Sequence, residues 1–185
     1  MLRTLVSKAQ KYTENPDPLA NAAGTIAIFV AVNQPFYPLY LHAIVGEAAW
    51  PAWLTLLSTP FFLMVPVIAR RNSLLGRAML PITGVANTVL CVKLFGVASA
   101  VELFLLPCVL LGAILFRPLE RATMVLVLTV PFAAYLAFDW NLGPPTQIFG
   151  SSEYNSIIFV HAVSVAALTA LVGLLFATIL SEKKL

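Results

Sequence analysis

The residues best able to do chemistry in this chain are six polar or ionisable side chains that lie within or at the ends of long apolar stretches. Such groups are costly inside a membrane unless they pair with one another or bind something. Their types suit hydrogen bonding or ion pairing with a small molecule. We therefore take them as candidate ligand-binding residues: Asn33, Tyr37, His42, Lys93, Glu102 and His161.

The first two candidates, Asn33 and Tyr37, fall in a stretch that contains two prolines. Asn33, Tyr37 and Tyr40 share one helix face at i, i+4 and i+7. Pro35 and Pro38 each remove a backbone donor there, which predicts a bend or a partly unwound turn. Unwound backbone is tolerated at membrane depth only beside protein or water. The stretch is therefore either a ligand-contacting break or a packed proline kink.

Lys93 and Glu102 flank a predicted turn near Gly96 and Val97. Lys93 would lie about one helical turn before it and Glu102 about one turn after it, at similar depth. An unpaired charge at the centre of a spanning helix costs roughly 2.5 to 3.5 kcal/mol. The spacing therefore predicts a mutual ion pair, which either locks the hairpin or contributes to a ligand site.

The chain has two histidines, His42 and His161. Paired axial ligation of a haem requires both imidazoles at one iron, and their predicted depths differ by several ångströms at about 1.5 Å per residue. A hydrogen-bonding or ligand-contacting role fits better. The sequence contains no zinc-spaced cluster, Gly-rich phosphate loop or Ser-His-carboxylate set. We therefore expect no enzyme activity, no metal, no cofactor and no nucleic-acid partner.

Composition identifies the element type that must position these residues. The 185 residues are 60% hydrophobic and 10% charged, with a mean hydropathy of +0.91, whereas soluble domains are about 25% charged. A helix needs about 20 apolar residues to cross a bilayer. The expected fold is an all-α polytopic membrane protein, a six-transmembrane-helix bundle with spans at roughly 20–44, 49–69, 79–96, 98–116, 122–138 and 154–180.

Basic residues set the predicted orientation, because short cationic connections stay cytoplasmic. Both termini are then inside. The expected parts are a cytoplasmic interfacial segment 1–18, a transmembrane domain 19–181 and a cytoplasmic tail 182–185, in the bacterial inner membrane. Segment 1–18 is interpreted as either an amphipathic helix or a disordered basic tail. The basic residues that decide this are Arg3, Lys8, Lys11, Arg70, Arg71, Arg77, Arg117, Arg121, Lys183 and Lys184.

Two further patterns concern the outer boundary and the last span. Trp50, Trp53 and Trp140 gather at the predicted outer boundary, as interfacial anchors or as the rim of an outward-facing cavity. Small residues repeat along the sixth span, a face that suits close packing within the bundle or in a homodimer. They are Ala162, Ala166, Ala170, Gly173 and Ala177.

The organisation and several loose motifs resemble a known group of membrane modules. These motifs are Tyr12-x-Glu14, Arg70-Arg71, Gly84-x-x-Asn87-Thr88, Gly96, and Glu102-Leu103-Phe104-Leu105-Leu106-Pro107. They are similar to those of the six-helix receptor or anchor modules that precede bacterial class III adenylate cyclases, diguanylate cyclases and quorum-sensing histidine kinases. Such modules continue into a catalytic domain, whereas this sequence ends at Leu185. The resemblance implies signal transduction by a freestanding module, or by one whose effector is a separate polypeptide.

Together these patterns predict a membrane receptor or sensor that binds a small apolar or amphipathic ligand in an outward-facing pocket. Its expected partners are the lipid bilayer, the ligand, and a second copy or an effector subunit. Two alternatives use the same architecture. One is the substrate-binding subunit of a vitamin or metal uptake transporter, and the other is an accessory subunit of a respiratory or photosynthetic complex.

Overall fold

The computed structural model describes residues 2–182, and within them all side chains except those of residues 2, 3, 5, 139–141, 180 and 182. Lys183 and Lys184 lie outside this range. The described chain is helical and contains no β-strand, which confirms the all-α class. Short 3-10 helices cover Gly46–Ser58, Val97–Ser99, Val101–Phe104 and Pro118–Glu120. The α-helices are α1 Leu2–Thr13, α2 Pro18–Asn33, α3 Phe36–Val45, α4 Thr59–Arg71, α5 Ser73–Phe95, α6 Leu105–Ile114, α7 Arg121–Asn141 and α8 Ser151–Glu182.

Four helical segments are long and apolar enough to cross a membrane, namely Pro18–Arg71, Ser73–Phe95, Pro118–Phe138 and Ser151–Ile179. The first is 54 residues long and contains the first two predicted spans. It folds back on itself, because α2 packs against α4. Gly46 marks the reversal with a φ of 62°, a conformation that glycine adopts without steric cost. The fourth predicted span corresponds to a shorter apolar segment, Val101–Ile114.

The proline-containing stretch between α2 and α3 is a kink. Gln34 and Pro35 keep right-handed helical dihedrals between the two helices. The Tyr37 N–H donates to Gln34 O at 3.2 Å, a bond of the tighter 3-10 type. The α-helix is interrupted at the two residues Gln34 and Pro35, as the prolines predict, and the backbone keeps helical dihedrals there.

The connection from α5 to α6 departs from a simple helical turn. α5 ends at Phe95 and Gly96 follows with a φ of 76°. Ala100 then takes the left-handed conformation, and it is the only non-glycine residue in the described range with a positive φ. Two short 3-10 helices precede the first α-helical residue, Leu105. The segment between Gly96 and Leu105 is therefore tightly wound and irregular.

One end of the bundle is fastened by charged side chains, and we call Asp17, Arg77, Arg117 and Glu120 the charged end. Arg77 is 1% exposed. It donates to both carboxylate oxygens of Glu120 at 2.6 and 2.8 Å, and its Nε lies 3.5 Å from Asp17 Oδ2. Arg117 donates to Asp17 Oδ1 at 2.9 Å. The start of α2, the start of α5 and the turn before α7 thus meet at this end.

Helices α4 and α5 approach closely beside the charged end. A Cβ added at Gly76 would lie 2.5 Å from the Cα and Cβ of Ala69, so no larger residue fits the crossing. The small-residue face of α8, in contrast, is exposed throughout. That face does not serve packing within this chain.

The N-terminal segment forms helix α1, as the amphipathic interpretation predicts. It packs against α2, and the Tyr12 hydroxyl donates to Leu63 O at 2.8 Å. Arg70 donates to Tyr12 O, which ties α1 to the end of α4. Residues 2–13 are thus helical and held against the bundle.

Candidate functional site

A partly open cavity of about 340 Å³ lies between α2, α3, α4, α5, α6 and α8. Small-molecule pockets commonly span about 300 to 1,000 Å³. Most of the cavity lining is apolar, and no Lys, Arg, Asp, Glu or His side chain lines it. The polar lining residues are Asn33, Gln34, Tyr37, Tyr40, Thr55, Asn87, Thr88 and Ser164. The cavity is therefore a neutral site with a small number of hydrogen-bonding groups.

Three polar side chains from different elements meet at one wall of the cavity, and we call Gln34, Ser58 and Asn87 the amide cluster. Gln34 lies at the kink between α2 and α3, Ser58 ends the 3-10 helix before α4, and Asn87 belongs to α5. Gln34 Nε2 donates to Ser58 Oγ at 2.6 Å. Ser58 Oγ lies 2.9 Å from Asn87 Oδ1 and 2.8 Å from Thr55 O. Because a hydroxyl has one proton, Ser58 donates to one of these two oxygens at a time.

The amide cluster retains hydrogen-bonding capacity that the protein does not use. Gln34 Oε1 and Asn87 Nδ2 bond to no other described residue, and both side chains line the cavity. Among the described buried side-chain atoms, only Thr59 Oγ1 and Glu102 Oε2 are enclosed without a partner. The two free amide atoms therefore keep access to open space. One is an acceptor and the other a donor.

A series of hydrogen bonds, separate from the amide cluster, links the cavity wall to the irregular segment before α6. His161 is fully buried, and its Nδ1 lies 2.7 Å from Ser99 O. A carbonyl oxygen only accepts, so Nδ1 carries a proton. In the neutral imidazole Nε2 then accepts, and the Tyr37 hydroxyl donates to it at 2.9 Å. α3, α8 and the Val97–Ser99 turn are joined through one imidazole.

Aromatic rings enclose His161. The Tyr37 ring stacks on it at 5.8 Å between centroids, and the Phe104 ring meets it edge-on at 6.0 Å. Both imidazole nitrogens are engaged by protein groups, so neither is free to ligate a haem iron in this arrangement. His42 is exposed on α3 and is not brought to His161.

Lys93 and Glu102 do not form the predicted ion pair within the described residues, so that prediction is wrong. Lys93 Nζ donates to Leu142 O at 2.9 Å and to Pro144 O at 2.8 Å. These bonds hold the 142–150 loop against the end of α5. Glu102 lies in the 3-10 helix Val101–Phe104, and its Oε2 is buried without a partner.

The structure thus separates the six predicted site residues into three groups. Asn33 and Tyr37 line the cavity. His161 reaches it through the hydrogen bond to Tyr37. The other three do not line it, and they are His42, Lys93 and Glu102.

Sequence reasoning missed most of the cavity's polar groups. Gln34 and Asn87 stand in apolar segments, as the predicted residues do, and an uncharged amide within a predicted span was the available signal. Cys91 and Cys108 also line the cavity and are free thiols. No protein-family model, curated protein or solved structure matches this chain.

Proposed function

We propose that this protein is a six-span receptor or sensor module of the bacterial inner membrane, which binds a small apolar or amphipathic ligand in the central cavity. The observation that carries the proposal is the cavity itself: about 340 Å³ and largely apolar, with eight polar residues in its lining. Pockets of this construction bind small molecules in many proteins.

A six-span arrangement with cytoplasmic termini is supported by where the cationic connections meet. Arg77 and Arg117 come from two predicted cytoplasmic connections, and both contact Asp17, which precedes α2. Contact between these residues requires an even number of crossings between them. Short cationic connections favour the cytoplasmic side.

The exposed part of the cavity lining favours entry from the bilayer. Phe29 of α2 and Val163 of α8 line the cavity and are 50% and 51% exposed. Phe29 lies about midway along the 18–45 stretch and Val163 lies in the central part of α8, so in the proposed six-span arrangement both fall at the depth of the hydrocarbon core. An apolar ligand that partitions into the membrane would reach the site between α2 and α8.

The Tyr37–His161–Ser99 chain supplies a route from ligand occupancy to helix packing. Tyr37 lines the cavity, while His161 belongs to α8. A ligand that displaces Tyr37 would change how α8 is held against the rest of the bundle. A ligand can shift the packing only by binding one arrangement more tightly, and about 1 to 3 kcal/mol is typical of such coupling.

Binding can be tested with the hydrophobic fluorophore N-phenyl-1-naphthylamine, added to the protein in lipid nanodiscs. Ala167 and its neighbour Ala166 are both exposed, but only Ala167 lines the cavity. We expect Ala167→Trp to fill the cavity and to abolish saturable fluorescence enhancement, and we expect Ala166→Trp to leave it unchanged. Equal enhancement in both variants, or none in the unmodified protein, would contradict the proposed function.

A further inference from the structure

We infer that the ligand is a neutral amphiphile whose polar head both donates and accepts hydrogen bonds, as a carboxamide does. This inference rests on the proposed function and specifies the chemistry of the same cavity. The amide cluster forms the polar end of the site, and the apolar walls receive an aliphatic tail.

The head group is neutral because the cavity offers no compensating charge. Its described lining contains no ionisable carboxylate, ammonium, guanidinium or imidazole. Burying an isolated ion in an apolar site is far more costly than burying a neutral polar group. A carboxylate or ammonium head would therefore be rejected, although the carboxylate has nearly the same size and shape as the amide.

The head group is polar because two amide atoms face the cavity unused. Gln34 Oε1 needs a donor and Asn87 Nδ2 needs an acceptor. An alkane in the cavity would keep other hydrogen-bonding partners away from both amide atoms and would offer none itself. An unsatisfied buried polar group is costly. A carboxamide carries an N–H for Gln34 and a C=O for Asn87.

The tail is aliphatic because apolar side chains make up most of the rest of the lining. Ile26, Phe62, Leu111 and Leu168 line the cavity from four different helices. They leave a space of about 340 Å³, near the lower limit for small-molecule pockets. A single medium-length chain suits this volume better than a two-chain phospholipid.

Three probes of one chain length separate these requirements: decanamide, decanoate at pH 8 and decane. Each displaces N-phenyl-1-naphthylamine from the protein in nanodiscs, and concentrations are corrected by partitioning into empty nanodiscs. We expect decanamide to bind at least about tenfold more tightly than either other probe. A tenfold ratio corresponds to about 1.4 kcal/mol.

A matched pair of substitutions assigns the discrimination to the amide cluster. Asn87→Leu keeps the branched shape and removes the amide, so the preference for decanamide over decane should fall to within about twofold. Asn155→Leu makes the same change at an exposed residue of α8 that does not line the cavity, and the preference should persist. If Asn87→Leu fails to give a monodisperse protein, Gln34→Leu replaces it with the same expected loss.

The outcomes separate this inference from the proposed function. Decane binding as tightly as decanamide, or decanoate binding most tightly, would overturn the neutral polar head while leaving cavity binding intact. Equal loss in Asn155→Leu and Asn87→Leu would overturn the assignment to the amide cluster. Retention of bilayer phospholipid in native mass spectra, with no displacement by any probe, would overturn both proposals.

Discussion

The charged end and the amide cluster are both buried polar groupings, yet they differ in how fully the protein uses them. At the charged end, Arg77 donates to Glu120, Leu115 O and Ser73 and also contacts Asp17. In the amide cluster, Gln34 and Asn87 each keep one hydrogen-bonding atom unpaired beside open space.

This difference separates polar groups that stabilise the helix bundle from polar groups that remain available to a ligand. A buried charge whose partners are all protein atoms stabilises one arrangement of helices, and removing one partner is costly. A polar group left without a hydrogen-bonding partner next to a cavity contributes little to folding stability and can bond to a ligand. Stability should therefore depend strongly on the first region and weakly on the second.

The largest expected effect is loss of the Arg77 side chain. Arg77→Met leaves Asp17 and Glu120 without their shared guanidinium, and breaking a buried ion pair typically costs about 3 to 5 kcal/mol. Since both carboxylates retain some exposure, we expect about 3 kcal/mol, measured by unfolding in mixed micelles. Arg71→Met is the control, because Arg71 is exposed and has no described ion pair. A loss below 1 kcal/mol at Arg77 would break the comparison.

The next effect tests the close crossing of α4 and α5 beside the charged end. Gly76→Ala places a methyl group 2.5 Å from the Ala69 backbone, and overpacking of this kind costs about 1 to 3 kcal/mol. Gly173→Ala is the matched control, since no atom lies within 4 Å of the added Cβ. We expect the control to be neutral or to gain up to about 1 kcal/mol from helix propensity. Equal destabilisation by both would mean that the crossing is not tight.

A third substitution tests a buried hydrogen bond that belongs to neither region. Tyr37→Phe removes the hydroxyl that donates to His161 Nε2 and leaves a buried acceptor unpaired, at a cost of about 1 to 3 kcal/mol. Tyr40→Phe is the control, because Tyr40 is exposed and no hydrogen bond of its hydroxyl is described. Unfolding in mixed micelles measures both. If the two variants were equally stable, the imidazole would not fasten α8.

Sequence patterns located the apolar segments and their interruptions, because these follow from local chemistry. The Gly46 reversal, the Pro35 kink and the end of α5 at Gly96 all fall where glycine or proline breaks a helix. The contacts of Lys93 and Glu102, in contrast, could not be predicted in this way. The 3-10 turns after Gly96 rise about 2.0 Å per residue, and the left-handed Ala100 redirects the chain. A depth argument that assumes an α-helix therefore fails there.

Long-range pairings were beyond sequence reasoning for a related reason. Tyr37 and His161 are 124 residues apart, and their contact depends on how α3 and α8 pack. Arg77 was interpreted as one basic residue among several in a connection, although it is a buried residue of α5. Acidic Asp17 and Glu120 in otherwise basic connections were the available sign that a cation there is paired.

The smallest expected effect on stability is the sharpest test of the comparison. In Asn87→Leu, Ser58 can donate to Thr55 O at 2.8 Å and still accept from Gln34, so no group that was paired becomes unpaired. The cavity also has room for the two methyl groups. We therefore expect a change within about 0.5 kcal/mol, as is usual where no special feature is lost. A loss of 2 kcal/mol or more of unfolding free energy, measured in micelles without ligand, would contradict this. It would mean that the amide cluster stabilises the fold, as the charged end does, and is not a binding site.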